Sequence, residues 1–113
     1  MSHNEIELVR VTDEPIIRPN PQIFAISKNA FNCGVVHDGK KFRMLIRGSY
    51  TENTTHSDLV YAESDDGVEG WNINPEPVLE HGVGDWRFQT LNGIEDPRIV
   101  PWQGYYYVFA TAC

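Results

Sequence analysis

The sequence is poor in cysteine and has no long apolar run. It contains two cysteines, Cys33 and Cys113, in 113 residues, which excludes a framework of several disulfides and favours a reducing, cytoplasmic setting. No apolar stretch approaches the roughly 20 residues of a membrane-spanning helix. The first residues have neither the basic segment nor the apolar centre of a signal peptide. These absences predict a cytoplasmic globular protein without a membrane anchor.

Positive charge is also scarce. Nine Lys and Arg residues face sixteen Asp and Glu residues, which gives a formal net charge of −7. The basic residues do not cluster beyond the pair Lys40-Lys41. Because nucleic acids and anionic membranes attract clustered positive charge, we expect neither of them as a partner.

Helical periodicity is nearly absent, and short apolar runs alternate with Gly, Asn and Asp turns. This pattern is typical of antiparallel β structure, so we predict an all-β fold. A strong hairpin signal is Asp38-Gly39, which separates two apolar runs. The first predicted hairpin pairs Val35-Val36 with 42–46 about the turn 37–40. Single strands are predicted at 59–62 and 71–73. The last predicted hairpin pairs Ile99-Val100 with 105–110 about the turn 101–104.

Two of these hairpins indicate an internal repeat. Gly39 and Gly104 lie 65 residues apart, and each follows a β-branched pair and precedes a hydrophobic strand. Such a unit holds about four short strands, the content of one β-propeller blade. A small sandwich of roughly six to eight strands has the same periodicity. Both architectures remain open at this level.

Polar residues stand at the ends of apolar strands in three segments, FNCGVV (31–36), MLIRGSY (44–50) and GIEDPRIV (93–100). A proline disfavours helical conformation in the preceding residue, so we expect Asp96 to be extended before Pro97. In an extended segment Arg98 projects to the same side as Asp96, and Glu95 to the other side. The candidate site residues are Asn32, Arg47, Glu95, Asp96 and Arg98.

Each candidate also has a purely structural interpretation. Asp96 fits a turn-capping aspartate, and Asn32 fits a plain turn residue. Arg47 and Arg98 fit ion pairs with Glu95 or Asp96, with Arg98 orienting the acidic loop. The four histidines (His3, His37, His56 and His81) show no metal-ligand spacing, so we expect no metal site.

The segments FNCGVV, MLIRGSY, HSDLVYAESDDG, PVL, GIEDPRIV and GYYYVFATA together resemble the N-terminal part of glycoside hydrolase family 130, from about residue 20 to residue 112. The most specific segment is 93–98. The family contains β-mannoside phosphorylases and some β-mannosidases. The resemblance implies a five-bladed β-propeller, with this chain covering roughly the first two blades. Residues 1–30 are then an extension and first strand, 31–80 the first blade, and 81–113 the start of the next blade with the acidic loop.

The resemblance also implies roles for the candidate residues. Asp96 is expected to be the general acid, passing its proton through a sugar hydroxyl. Asn32 and Arg47 are expected to contact the mannosyl unit, with Glu95 and Arg98 in support. The implied reaction is inverting phosphorolysis of β-mannosides to mannose 1-phosphate, with inorganic phosphate as co-substrate and no cofactor. The alternatives are a β-mannoside hydrolase of the same family and a non-catalytic carbohydrate-binding module.

Two departures from the family pattern are visible. Cys33 replaces the proline of the usual FNPG, and we expect Gly34 to keep the turn through its conformational freedom. The basic residues that hold phosphate in the family's phosphorylases are expected beyond Cys113. From the length we expect this chain to be part of a longer protein and to be inactive alone. Homo-oligomerisation stays open.

Overall fold

The computed structural model describes residues 5–113, so His3 and the start of the predicted 1–30 extension lie outside the described residues. The fold is all-β, as predicted. Its elements in chain order are a 3-10 turn at Phe24–Ile26, strands β1 (Asn29–His37), β2 (Phe42–Ser49), β3 (Asp58–Ser64) and β4 (Asn72–Ile73), a second 3-10 turn at Gly84–Trp86, and strands β5 (Ile94–Trp102) and β6 (Tyr105–Ala112).

The first sheet is an antiparallel meander in the order β1-β2-β3-β4. The hairpin predicted about Asp38-Gly39 is confirmed, with His37 paired to Phe42 across the turn. The Asp38 side chain closes this turn, because its Oδ1 accepts hydrogen bonds from the backbone N–H groups of Lys40 and Lys41 at 2.9 and 2.8 Å. The short strand predicted at 71–73 is confirmed as the edge strand β4.

The second sheet is the hairpin of β5 and β6. Its turn is shorter than the four residues predicted, because Trp102 already pairs with Tyr105. The two turn residues, Gln103 and Gly104, both have positive φ angles of 48° and 79°. A two-residue turn with this geometry matches the twist of the strands that it joins.

Side chains of the first sheet alternate between two apolar clusters. One face joins Met44 and Ile46 of β2 to Val60 of β3 and to Ile26 of the first 3-10 turn. The other face carries Leu45 and Leu59, which pack against Ile94 of β5. This second cluster holds the two sheets together and fixes the position of β5.

The first sheet occupies residues 29–73, and β5 begins at Ile94. Strand β1 therefore crosses the boundary predicted between residues 30 and 31. None of the helices described between residues 5 and 113 has the length and apolar character to cross a membrane.

Candidate active site

Strands β1 and β5 carry the same irregularity. In β1, Asn32 and Cys33 lie between the pairs Phe31–Arg47 and Gly34–Leu45, so two residues face one residue of β2. In β5, Asp96 and Pro97 lie between the pairs Glu95–Thr111 and Arg98–Phe109, so two residues again face one. Each is a β-bulge, which bends the strand and redirects its side chains.

The first residue of each bulge has a left-handed backbone. The φ angle is 42° at Asn32 and 50° at Asp96. Among residues with a side chain, Asn and Asp adopt this region most readily. The prediction that Pro97 holds Asp96 extended is therefore wrong.

The two bulges lie against each other through main-chain atoms. A Cβ on Gly34 would stand 2.3 Å from the carbonyl oxygen of Pro97. Gly34 is absent from the residues with positive φ, so the prediction that it serves as the flexible position of a turn is wrong. Glycine is needed here because any side chain would push β1 and β5 apart.

Asn32, Arg47, Glu95 and Asp96 meet at this contact. Asp96 Oδ1 accepts hydrogen bonds from Asn32 Nδ2 at 3.0 Å and from Arg47 Nη1 at 3.4 Å. Glu95 Oε1 accepts a hydrogen bond from Arg47 Nη2 at 2.8 Å. The prediction that Glu95 and Asp96 point to opposite sides is wrong, because the bulge breaks the two-residue alternation of the strand.

Burial is graded across this group. The side chain of Arg47 is 8% exposed, that of Glu95 is 20% exposed and that of Asp96 is 46% exposed. Arg47 therefore forms the floor of the cluster, and Asp96 is its outermost carboxylate. A buried guanidinium requires carboxylate or carbonyl partners for its donors, and Glu95 and Asp96 supply its charge balance.

Three further residues hold Arg47 in place. Its Nε donates to Ser57 Oγ at 3.0 Å, and its Nη2 donates to the Thr54 carbonyl at 3.2 Å. Its guanidinium carbon lies 4.5 Å from the centre of the Phe31 ring, a cation–π contact. Sequence reasoning did not identify Ser57, Thr54 or Phe31, since nothing in their local sequence indicates a contact with Arg47.

Arg98 does not join the group. It is exposed, and it forms no ion pair with Glu95, Asp96 or any other residue in the described part of the chain. The structural interpretation of Arg98 as an ion-pair partner of Glu95 or Asp96 therefore does not hold. It assumed a regular strand, whereas Arg98 follows a bulge.

An open groove of about 610 Å³ lies along the two bulges and is lined by Asn32, Cys33, Asp96, Arg98 and neighbouring residues of β1 and β5. Asp96 Oδ2 accepts no hydrogen bond from the residues described. The arrangement thus offers the groove a carboxyl oxygen that has no hydrogen-bond donor among the described residues, beside the amide of Asn32.

The two thiols near the site are unpaired and exposed. Partial desolvation raises the pKa of the Cys113 thiol, and the negative charge of Glu95 raises it further. This thiol is therefore protonated at neutral pH and is a poor nucleophile. Within residues 5–113, no three His, Cys, Asp or Glu side chains converge as metal ligands.

The overall fold is shared with a solved structure. The chain superimposes on the crystal structure of a candidate glycoside hydrolase from Parabacteroides distasonis ATCC 8503 with a TM-score of 0.73. The match covers 89% of this chain and 33% of that chain at 21% identity. At this identity the likeness shows the fold alone.

The sequence identifies the family. The model of glycoside hydrolase family 130, described as beta-1,4-mannooligosaccharide phosphorylase, matches residues 4–113. The chain belongs to this family, as the sequence motifs predicted.

Two curated relatives come from Thermoanaerobacter sp. (strain X514). A 1,2-beta-oligomannan phosphorylase is 31% identical over 111 residues, which cover 94% of this chain. A beta-1,2-mannobiose phosphorylase is 31% identical over 115 residues, which cover 92% of this chain. The chain spans 36% of the length of each relative.

Proposed function

We propose that the protein is an inverting phosphorylase that acts on β-mannosides and releases mannose 1-phosphate. The observation that carries the proposal is the position of Asp96, whose carboxyl group borders an open groove beside Asn32 and Arg47. The names of the family model and of both curated relatives describe phosphorylases of β-mannosides.

In the proposed reaction an oxygen of inorganic phosphate attacks the anomeric carbon, and the bond from that carbon to the departing sugar oxygen breaks. The proton that the departing oxygen needs comes from Asp96, relayed by a sugar hydroxyl. Asn32 and Arg47 hold the mannosyl unit. Glu95 acts through Arg47, because its hydrogen bond fixes the direction of the guanidinium.

Phosphorolysis is placed ahead of hydrolysis by the names of the family model and of both curated relatives, and Glu95 is not the second carboxylate that a hydrolase would use. An inverting hydrolase places a second carboxyl group about 6.5–9.5 Å from the acid to activate water. Glu95 is the other carboxylate beside Asp96 in the described part of the chain, and both bond to the same guanidinium. It therefore does not face the sugar from the opposite side.

We also propose that the chain forms roughly the first two blades of a five-bladed propeller. The four-stranded meander, the packing of β5 on its face and the repeated bulge support this architecture. The Met44 face of the first sheet supports it too, because beside its packing on the first 3-10 turn it leaves an apolar groove of about 390 Å³ lined by residues such as Phe31, Met44 and Trp71. A neighbouring blade covers such a face.

The proposal extends to the substrates of the protein and to its place in the cell. The proposed substrates are a β-mannosyl oligosaccharide and phosphate, and the cations that hold phosphate are assigned to other blades. We place the protein in the cytoplasm, where its two free cysteines stay reduced.

The test measures mannose 1-phosphate released by the complete protein from β-1,2- and β-1,4-linked mannobiose, with and without phosphate. Asp96→Asn is expected to lower kcat about 10²–10⁴-fold, the usual contribution of a general acid, and to leave KM nearly unchanged. Glu95→Gln is the comparison and is expected to lower kcat about tenfold through Arg47. Wild-type turnover in Asp96→Asn would contradict the proposal. Release of free mannose without phosphate would identify a hydrolase.

A further inference from the structure

A second pocket lies at the same end of the first sheet as the candidate active site. Asp58 lines it, and Asp58 pairs with Gly48, the residue after Arg47. Arg47 faces β5, and Asp58, one register step away, faces the first 3-10 turn. The loop 50–57 borders both places, because Thr54 and Ser57 bind Arg47 while His56 stacks on His81.

A row of stacked rings forms one side of the pocket. Phe24 and Tyr50 stack with centres 4.4 Å apart and planes 22° apart. The row continues from Tyr50 to His81 at 6.2 Å and from His81 to His56 at 5.7 Å. Phe24 at the end of the row is 68% exposed. Four rings from three segments that are distant in sequence thus build one aromatic surface.

A buried carboxylate stands beside the rings. Asp58 is 6% exposed, and its Oδ1 accepts the backbone N–H of His81 at 2.9 Å and lies 2.6 Å from His81 Nδ1. No residue in the described part of the chain donates a hydrogen bond to Asp58 Oδ2. Glu76 and Glu80 line the same pocket, which has a volume of about 260 Å³.

This lining selects a class of ligand. Acidic acceptors and aromatic rings line the pocket, and no Lys or Arg does. Carboxylates repel phosphate and other anions. They accept hydrogen bonds from hydroxyl groups, while aromatic rings pack on the apolar face of a pyranose. A neutral sugar ring meets both requirements.

We propose that this pocket is a saccharide subsite remote from the cleavage point. It binds an outer unit of a β-mannosyl oligosaccharide whose inner units occupy the groove at Asp96. This inference rests on the proposed function. It assigns Phe24, Tyr50 and Glu80 to the recognition of chain length and gives them no part in bond cleavage.

The test compares the KM of the complete protein for mannobiose, mannotriose and mannotetraose in the β-1,2 and β-1,4 series. Phe24→Ala is expected to raise KM for the longer substrates of one series about tenfold, equivalent to about 1.4 kcal/mol, with KM for the disaccharide and kcat unchanged. Glu80→Gln is expected to raise it about threefold. Phe88→Ala is the matched control, because Phe88 has the same 68% exposure outside the pocket.

The subsite is refuted if Phe24→Ala and Glu80→Gln leave KM unchanged at every length, or if Phe88→Ala raises it equally. Absence of turnover by the wild type on every β-mannoside would defeat the proposed function instead. Calorimetric titration with mannotriose then decides the subsite alone. Binding that Phe24→Ala weakens supports it, and absence of binding to the wild type overturns it.

Discussion

At the scale of single residues, Gly93 sets the approach of β5 to the loop after β2. A Cβ on Gly93 would stand 1.7 Å from the carbonyl oxygen of Thr55. Gly93→Ala must therefore displace backbone beside Arg47, and we expect a loss of about 2–3 kcal/mol in the free energy of unfolding. Chemical denaturation measures this loss.

The control for Gly93 is Gly104→Ala. Gly104 has a φ of 79°, and nothing lies within 4 Å of the place that an added methyl group would take. The cost is therefore the left-handed backbone alone, about 1 kcal/mol. Equal losses in the two variants would contradict the steric account of Gly93.

The residues of the site were largely predictable, and their conformation was not. The sequence motifs singled out five residues, and the structure brings Asn32, Arg47, Glu95 and Asp96 together but leaves Arg98 apart. The orientation of Glu95 was predicted wrongly because the alternation of side chains along a strand assumes that each residue faces one residue of the neighbouring strand. A bulge depends on pairing with a distant strand, which no local pattern reveals.

At the scale of elements, a polar cluster joins β6 to the first hairpin. Asp38 Oδ2 accepts hydrogen bonds from Tyr106 Oη and from Arg43 Nε, each at 2.5 Å. The bond from Tyr106 and those from the Lys41 backbone and Arg43 hold the pKa of Asp38 far below its usual range. The ionised carboxylate therefore ties together elements 68 residues apart.

This depressed pKa predicts a pH dependence of stability. A carboxylate with a lowered folded pKa contributes stability above its unfolded pKa of about 3.9 and loses it as pH falls below that value. We expect Asp38→Asn to melt at a lower temperature than the wild type at pH 7. The difference in Tm should shrink steadily between about pH 4 and pH 2.

Asp65→Asn is the control for Asp38, because the Asp65 side chain is 90% exposed. Its Tm should follow that of the wild type across the whole range. A Tm difference for Asp38→Asn that stays constant down to pH 2 would show that the carboxylate charge does not act as described.

The elements themselves followed from local sequence, whereas their packing did not. Asp38-Gly39 marked the first hairpin and the turn 101–104 with Gly104 marked the second, because glycine accepts the positive φ angles that these turns require. The contact of Tyr106 with Asp38 was not predicted. Local sequence patterns indicate which neighbouring strands pair, but they do not indicate which residues of two different sheets lie in contact.

At the scale of the whole molecule, apolar surface is exposed on the first sheet and on strand β6. The groove on the first sheet is lined by apolar side chains, and every residue of β6 is exposed. The chain spans 36% of the length of its curated relatives. The prediction of a five-bladed ring came from the family motifs. The number of blades cannot be read from two sheets, because it depends on contacts with the other blades.

The 113 residues alone are expected to release no mannose 1-phosphate. At the carboxylate pair, Arg47 is the cation supplied by the described residues, and Glu95 and Asp96 already balance its charge. Arg98, which lines the same groove without an ion pair to the described residues, is a single cation, and one cation is too few to hold a phosphate dianion. The measurement is phosphate-dependent turnover by the isolated chain beside the complete protein, and turnover at a comparable rate by the isolated chain would contradict the expectation.

The contact of Gly34 with the carbonyl of Pro97 has an evolutionary consequence. The spacing between the amide of Asn32 and the carboxyl of Asp96 is set by main chain against main chain, and drift in the surrounding side chains leaves that spacing intact. Side chains around the two bulges can therefore change while the geometry of the Asn32–Asp96 pair stays the same. The glycine itself tolerates no such drift, because any side chain there would meet the carbonyl of Pro97.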